Sequence, residues 1–495
     1  MSEQAPNRNL LSSTIWTIVQ SFGTQIVTIL ITAFLSRIVT PEETGFIAMV
    51  AFVTSIAQLV IDSGLESSLM RKYENKDADY NSVFIYNLVS SVAIYLLIVL
   101  CAPLIANYFE EPRLVPIIRV FSVTIIIVAI TSVQKVQLEK SFNFKPITFI
   151  AIVGNITSGL LGLFLAYNGF GVWSLVAISI CTPVLTMVYL WYKSPWRPNF
   201  KFDKEVFRQH FRFGYKVALS TILLTIFSGI YNVIIGKKYS AGLVGQYNRA
   251  NQLAMMIAFS IGGAINRIAL PLFASKSTDV EELKTTYLRV LRMLMFVMAP
   301  IATFCTIAAP AIINFLFGGQ WGTAIGYFQI LASVSVLYSL NMISLYVINI
   351  TGRSELGLKA DIFKKTISII LIFIAAIGGD VYALIWVNIL ILLIELIISF
   401  KYCTFIIKST VWEQVKTLLP CLMVSVLSAL PLYFLYHFLN TRIEHSFLLL
   451  AATLPVFGIV YLVLSWLIPN VGLKDFLQFT KIDQKLPARI IARLK

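Results

Sequence analysis

Charged and amide side chains are scarce inside the long apolar segments of this chain, and those few are where chemistry could occur. A charge deep in a membrane helix costs at least ~2.5–3.5 kcal/mol on insertion scales, so each is a functional candidate. Asp62 and Glu395 are the acidic candidates, suited to ion coupling. Arg37, Arg119, Arg249 and Arg267 are basic groups near segment ends. Gln20, Gln25, Gln58, Asn232, Asn266 and Asn341 are uncharged polar groups within segments. Guanidinium groups and amides around a wet cavity would hold a diphosphate or an anionic sugar through charge-assisted hydrogen bonds. Plainer roles compete. Arginines near helix ends snorkel to the headgroups. Asp62, followed by Ser63-Gly64, suits a local cap, and Glu395 suits an ion pair with Lys364 or Lys365. Each amide could simply bond between helices for ~0.6 kcal/mol.

Other chemistries find no support in the sequence. No nucleophile–base motif, P-loop, paired catalytic carboxylate motif or Gly-rich dinucleotide turn is present, so neither an enzyme nor an ATP-driven pump is expected. Energy would come from an ion or voltage gradient, or from the substrate's own gradient. Cys101, Cys181, Cys305, Cys403 and Cys421 lack paired spacing, and His210, His437 and His445 are dispersed. No metal site, disulfide framework or cofactor is expected.

The elements that must position these groups are membrane helices. Of 495 residues, 58% are hydrophobic and 13% charged, where soluble domains carry about 25% charged residues. The apolar runs do not alternate, so helices rather than a closed barrel satisfy the backbone in lipid. Each run can cross a ~30 Å hydrocarbon core. About fourteen spans are expected, near 11–36, 44–65, 80–105, 114–135, 146–167, 170–192, 212–235, 250–272, 288–316, 323–347, 361–378, 381–402, 415–438 and 447–468. The first is too long for a signal-peptide core and reads as a retained helix. With both termini inside, the cytoplasmic segments hold about 32 of the 39 Lys and Arg, which also accounts for the net charge of +15 without nucleic acid.

An internal repeat is visible. Ser36 to Gly45 precedes the second span, and Gly236 to Gly245 precedes the eighth. Arg37 matches Lys237, Thr40 matches Ser240 and Gly45 matches Gly245. Six spans separate the copies, so the halves have like orientation, related by an axis along the membrane normal. The expected organisation is a six-helix lobe at 1–192, a cytoplasmic amphipathic connector at 193–211, a second six-helix lobe at 212–402, helices 13 and 14 at 403–470, and a basic amphipathic tail at 471–495. In the connector and tail, aromatic and aliphatic residues mixed with Lys and Arg suit helices lying in the headgroup layer. A merely positive cytoplasmic loop explains them equally well.

Several segments resemble a known family: Leu35 to Phe46 with Asp62-Ser63-Gly64-Leu65; Gly169 to Val176; Tyr239 to Ala250; Pro271-Leu272-Phe273 with Tyr287-Leu288-Arg289; and Phe317-Gly318-Gly319-Gln320-Trp321. In these the chain is similar to the Wzx-type lipid-linked oligosaccharide flippases of the multidrug/oligosaccharidyl-lipid/polysaccharide exporter superfamily. The resemblance implies an all-α membrane protein of two pseudo-symmetric six-helix lobes plus two C-terminal helices, with a cation-rich cavity. It implies a bacterial inner-membrane flippase that moves undecaprenyl-diphosphate-linked repeat units by alternating access, for O-antigen, capsule or exopolysaccharide. Its partners would be that substrate, membrane lipids, and a polysaccharide polymerase or chain-length protein. Two other readings stay open: a cation-coupled multidrug exporter of the same superfamily, and a membrane polysaccharide polymerase or ligase.

Overall fold

The structure is a computed structural model, and it describes residues 5–277, 279–350, 354–468 and 472–479. Side chains of 5–15, 18, 260–261, 264, 266–268, 349 and 354–362 stand outside that description. Every regular element among the described residues is a helix. In the first half they are α1 (Ala5–Leu35), α2 (Pro41–Asp62), α3 (Leu65–Arg71), α4 (Asp77–Phe109), α5 (Leu114–Phe121), α6 (Val123–Lys140), α7 (Phe144–Tyr167), α8 (Val172–Lys193) and α9 (Lys204–Lys238). They continue with α10 (Ala241–Ser275), α11 (Val280–Ile307), α12 (Ala309–Leu316), α13 (Gly322–Ser333), α14 (Ser335–Ile350), α15 (Ser354–Gly378), α16 (Val381–Ile407), α17 (Val411–Asn440), α18 (Ser446–Leu467) and α19 (Leu473–Phe479). Among the described residues eleven spans are long and apolar enough to cross a membrane, and Val19–Leu35 is a shorter apolar helix.

Local chemistry explains where helices begin. Thr40, Asp203, Asp279, Asp380 and Thr410 each accept a backbone N–H of the first turn that follows. At α2 the cap is reciprocal, since Glu43 accepts the Thr40 N–H at 2.8 Å. Pro41 opens the helix where no N–H is needed. Ser63, Glu110 and Lys408 end helices in the left-handed conformation.

The chain forms two compact units, Met1–Gly245 and Gln246–Lys495. In the first, α9 packs on α2, α3 and α4. Close approach is possible because small residues stand at the crossings. A Cβ on Gly229 would strike the Phe52 ring, and one on Gly64 would strike the Gly214 carbonyl. In the second, α11 packs on α17 and α14, and α16 on α14 and α15.

Three expected spans are broken helices. The segment at 114–135 breaks at Ser122, that at 288–316 at Ala308, and that at 323–347 at Val334. The connector also differs from a headgroup helix. Residues 194–203 have no regular structure, and Lys204 starts α9, which runs unbroken to Lys238. Asp203 caps it there with bonds from Glu205 N and Val206 N. Of the expected tail, α19 docks on α11, where Asp475 bridges Arg289 at 3.1 Å and Arg292 at 3.0 Å. The remainder, 480–495, lies outside the described residues.

Candidate functional site

The two copies of the repeat seat each other. Thr40 caps α2 by accepting the Glu43 N–H, and Ser240 accepts the Leu243 N–H at the start of α10. A Cβ on Gly45 would overlap the Ala241 carbonyl oxygen, and a Cβ on Gly245 would overlap that of Pro41. Position 41 corresponds to 241, and 45 to 245, so the contact is reciprocal: residue i meets j′ and j meets i′. That is the signature of a local twofold relation. Backbone lies against backbone, and only glycine fits.

Arg249 is carried four residues past Gly245 on α10 and is 9% exposed. Its guanidinium lies 5.4 Å from the Trp321 ring centroid and 5.8 Å from that of Phe317. It donates to Gln252 Oε1 at 3.1 Å, and its Nε has no hydrogen-bond partner. Gln246, one turn earlier, donates to the Gln320 carbonyl at 2.9 Å and accepts the Ala324 N–H at 2.9 Å. The segments Tyr239 to Ala250 and Phe317 to Trp321, 70 or so residues apart, thus meet around one stacked cation. Arg249→Leu is expected to destabilise the protein by about 1–2 kcal/mol through lost cation–π contact and packing. A thermal melt in detergent measures it; an unchanged midpoint would leave the stack without energetic weight.

The other candidates are dispersed. Arg37 and Arg119 are exposed, and Gln20, Gln25, Gln58 and Asn232 are half-buried. The side chains of Asn266 and Arg267 are outside the described residues. Asp62 accepts the N–H groups of Gly64 at 3.1 Å and Glu66 at 3.0 Å, which is the capping role its sequence context allows. Glu395 pairs with Lys365 at 2.8 Å. Beside that pair, buried Lys364 donates to Ser399 Oγ at 2.8 Å, and Ser399 donates to Asn341 Oδ1 at 2.9 Å. This joins α14, α15 and α16 with polar bonds inside the second unit.

Two groupings have no mark in the sequence. Glu66, on α3, faces Lys135 at 3.9 Å, and burial pushes its carboxyl up to about 7. His210 on α9 lies 2.8 Å from both Ser68 Oγ and Asp79 Oδ1, and Lys72 Nζ is 2.5 Å from the same oxygen. Ser, His and Asp are the residue types of a hydrolytic triad. Here Ser68 is 7% and His210 3% exposed, so no substrate reaches the hydroxyl. The Asp79 charge is engaged by Lys72 as well. The trio clamps α9 to α3 and α4.

Eleven described spans that are long and apolar enough to cross a membrane define a polytopic membrane protein. Solved structures agree on the fold. The lipid II flippase MurJ in an inward closed conformation superposes with TM-score 0.75 at 14% identity, over 92% of this chain and 98% of that one. A multidrug resistance MATE family transporter, inward-facing, gives 0.60 at 15% identity, over 78% and 96%. Residues 34–326 match the family described as polysaccharide biosynthesis protein, and the chain belongs to it. Relatives include the teichuronic acid biosynthesis protein TuaB of Bacillus subtilis (strain 168), 24% identical over 81% of this chain and 83% of that protein. The lipopolysaccharide biosynthesis protein WzxC of Escherichia coli (strain K12) is 20% identical over 73% and 74%. The succinoglycan biosynthesis transport protein ExoT of Rhizobium meliloti (strain 1021) is 24% identical over 62% and 63%.

Proposed function

We propose that this chain is a flippase, not an enzyme, which carries diphosphate-linked oligosaccharide repeat units across the bacterial inner membrane for surface polysaccharide assembly. One observation carries the reading: a match to a polysaccharide biosynthesis family across most of the first ten spans, on a transporter fold. The relatives' names, which join polysaccharide synthesis with transport, support it. In this reading about fourteen spans form lobes at 1–192 and 212–402 with two further helices at 403–470, and both termini are cytoplasmic. Alternating access exposes a wet cavity to each side in turn. Arg37, Arg119, Arg267 and the amides Gln20, Gln25, Gln58, Asn232 and Asn266 remain its proposed polar lining, with Arg249 a buried support. A polysaccharide polymerase is the proposed downstream partner.

Deleting the gene should strand lipid-linked repeat units on the cytoplasmic leaflet and abolish the surface polymer, and the wild-type gene should restore it. Unchanged surface polysaccharide would sink the proposal. Asp62, Glu395 and now Glu66 are the proposed coupling acids. Since Glu66 changes charge around pH 7, protonated below and ionised above, Glu66→Gln is expected to flatten the pH dependence of transport there in proteoliposomes. A profile identical to that of the parent removes Glu66 from the coupling set.

A further inference from the structure

The start of α9 carries a row of four cations against a single exposed carboxylate on the helix, Glu205. Lys204, Arg208, Arg212 and Lys216 recur every fourth residue and are all exposed. Among the described residues none of the four makes an ion pair. The nearby Asp203 carboxylate is occupied in capping the helix. Like charges four apart on a helix repel by ~0.2–0.5 kcal/mol per pair, so a row of this kind is not the arrangement that a merely solvated positive face would favour. A second row lies alongside it: Phe207, Phe211 and Tyr215 stack with ring centroids 5.5 and 6.1 Å apart.

The length of α9 fixes the depth of the row. Its 35 residues extend about 52 Å at 1.5 Å per residue. The hydrocarbon core is only ~30 Å thick, and the uncharged stretch 217–236 fills it. Lys216 therefore sits at the hydrocarbon boundary, and Lys204 stands about 18 Å beyond it along the helix. Ordinary phospholipid phosphates occupy one layer and would neutralise one or two rungs. A row spanning successive depths suits an anion that leaves that layer.

We infer that this row is a loading track for the diphosphate of a polyprenyl-linked glycan in the leaflet at the α9 start. Paired cations take the diphosphate by charge-assisted bonds. The aromatic row offers flat faces to the attached sugar or to the interface. The inference rests on the proposed function and adds an entry site outside any central cavity.

The test uses the full chain in phosphatidylcholine nanodiscs, titrated with undecaprenyl diphosphate and, separately, with phosphatidylglycerol. The variant K204Q/R208Q/R212Q/K216Q is expected to bind undecaprenyl diphosphate at least ~10-fold more weakly than the parent. R208Q/Q209R, which keeps the net charge but breaks the row, should weaken it several-fold. Phosphatidylglycerol should bind weakly to every form. Parental binding by the quadruple variant would overturn the track alone, with the flippase reading intact. Equal binding of phosphatidylglycerol, lost in parallel, would make the row a general acidic-lipid surface. A parent chain that fails to bind undecaprenyl diphosphate would overturn both readings.

Discussion

Gly45→Ala and Gly245→Ala are each expected to abolish accumulation of folded protein, while Gly242→Ala in the same turn of α10 leaves it unaffected. The three changes add the same methyl group. At positions 45 and 245 it falls on a backbone carbonyl, of Ala241 and Pro41 respectively, and a carbonyl fixed in a helix start has no rotamer by which to withdraw. At 242 the nearest atom is the Ser240 hydroxyl at 3.8 Å, an ordinary contact. Overpacking against flexible side chains costs about 1–3 kcal/mol, and rigid backbone belongs at or above the upper end. The two sites share one contact, so the double variant should cost less than the sum of the singles. The yield of monodisperse protein after detergent extraction reports all four forms. Normal yield from either single variant would contradict the reciprocal seat.

Removing the carboxylate at the centre of the α3–α4–α9 clamp is the other severe change. Asp79 is 1% exposed and accepts from His210 Nε2, from Lys72 Nζ and from the Lys76 N–H at 2.7 Å. Asp79→Ala leaves an ammonium and a buried ring nitrogen without their acceptor and removes the side-chain end of the α4 cap. Lys72 is 39% exposed and can turn to water, so the cost is that of an orphaned buried ring nitrogen and a lost cap, about 2–4 kcal/mol together. Asp79→Asn, which keeps an acceptor oxygen but not the charge, should lose roughly half as much. Midpoints from intrinsic-fluorescence melts should rank parent, Asn, Ala. A parental midpoint for Asp79→Ala would show that the clamp holds nothing.

What the sequence revealed and what it hid follow from the range of each signal. Spans were legible because apolar length is local: α7 and α8 lie within two residues of their expected limits. The breaks at Ser122, Ala308 and Val334 were not, since each falls within a run that stays apolar on average, and hydropathy does not register a one-residue interruption. Proline was an uneven guide: Pro310 opens α12 just after the break at Ala308, yet Pro103, Pro183 and Pro300 sit inside continuous helices. The Glu395–Lys365 pair was legible because spans eleven and twelve are adjacent hairpin partners. The His210 clamp was not, because Ser68 lies 142 residues from its partner. The repeat was visible as pattern, but a pattern does not say that its copies touch. The connector expected at 193–211 overlaps the start of α9, because mixed basic and aromatic composition is shared by a surface helix and by the wet end of a long spanning one.

The reciprocal seat at Gly45 and Gly245 has an evolutionary corollary. A joint whose two sides are interchangeable does not record which side is which. Hydroxyl and glycine recur at matching places in both copies, while buried Val39 and the Glu42–Arg113 pair belong to one copy alone.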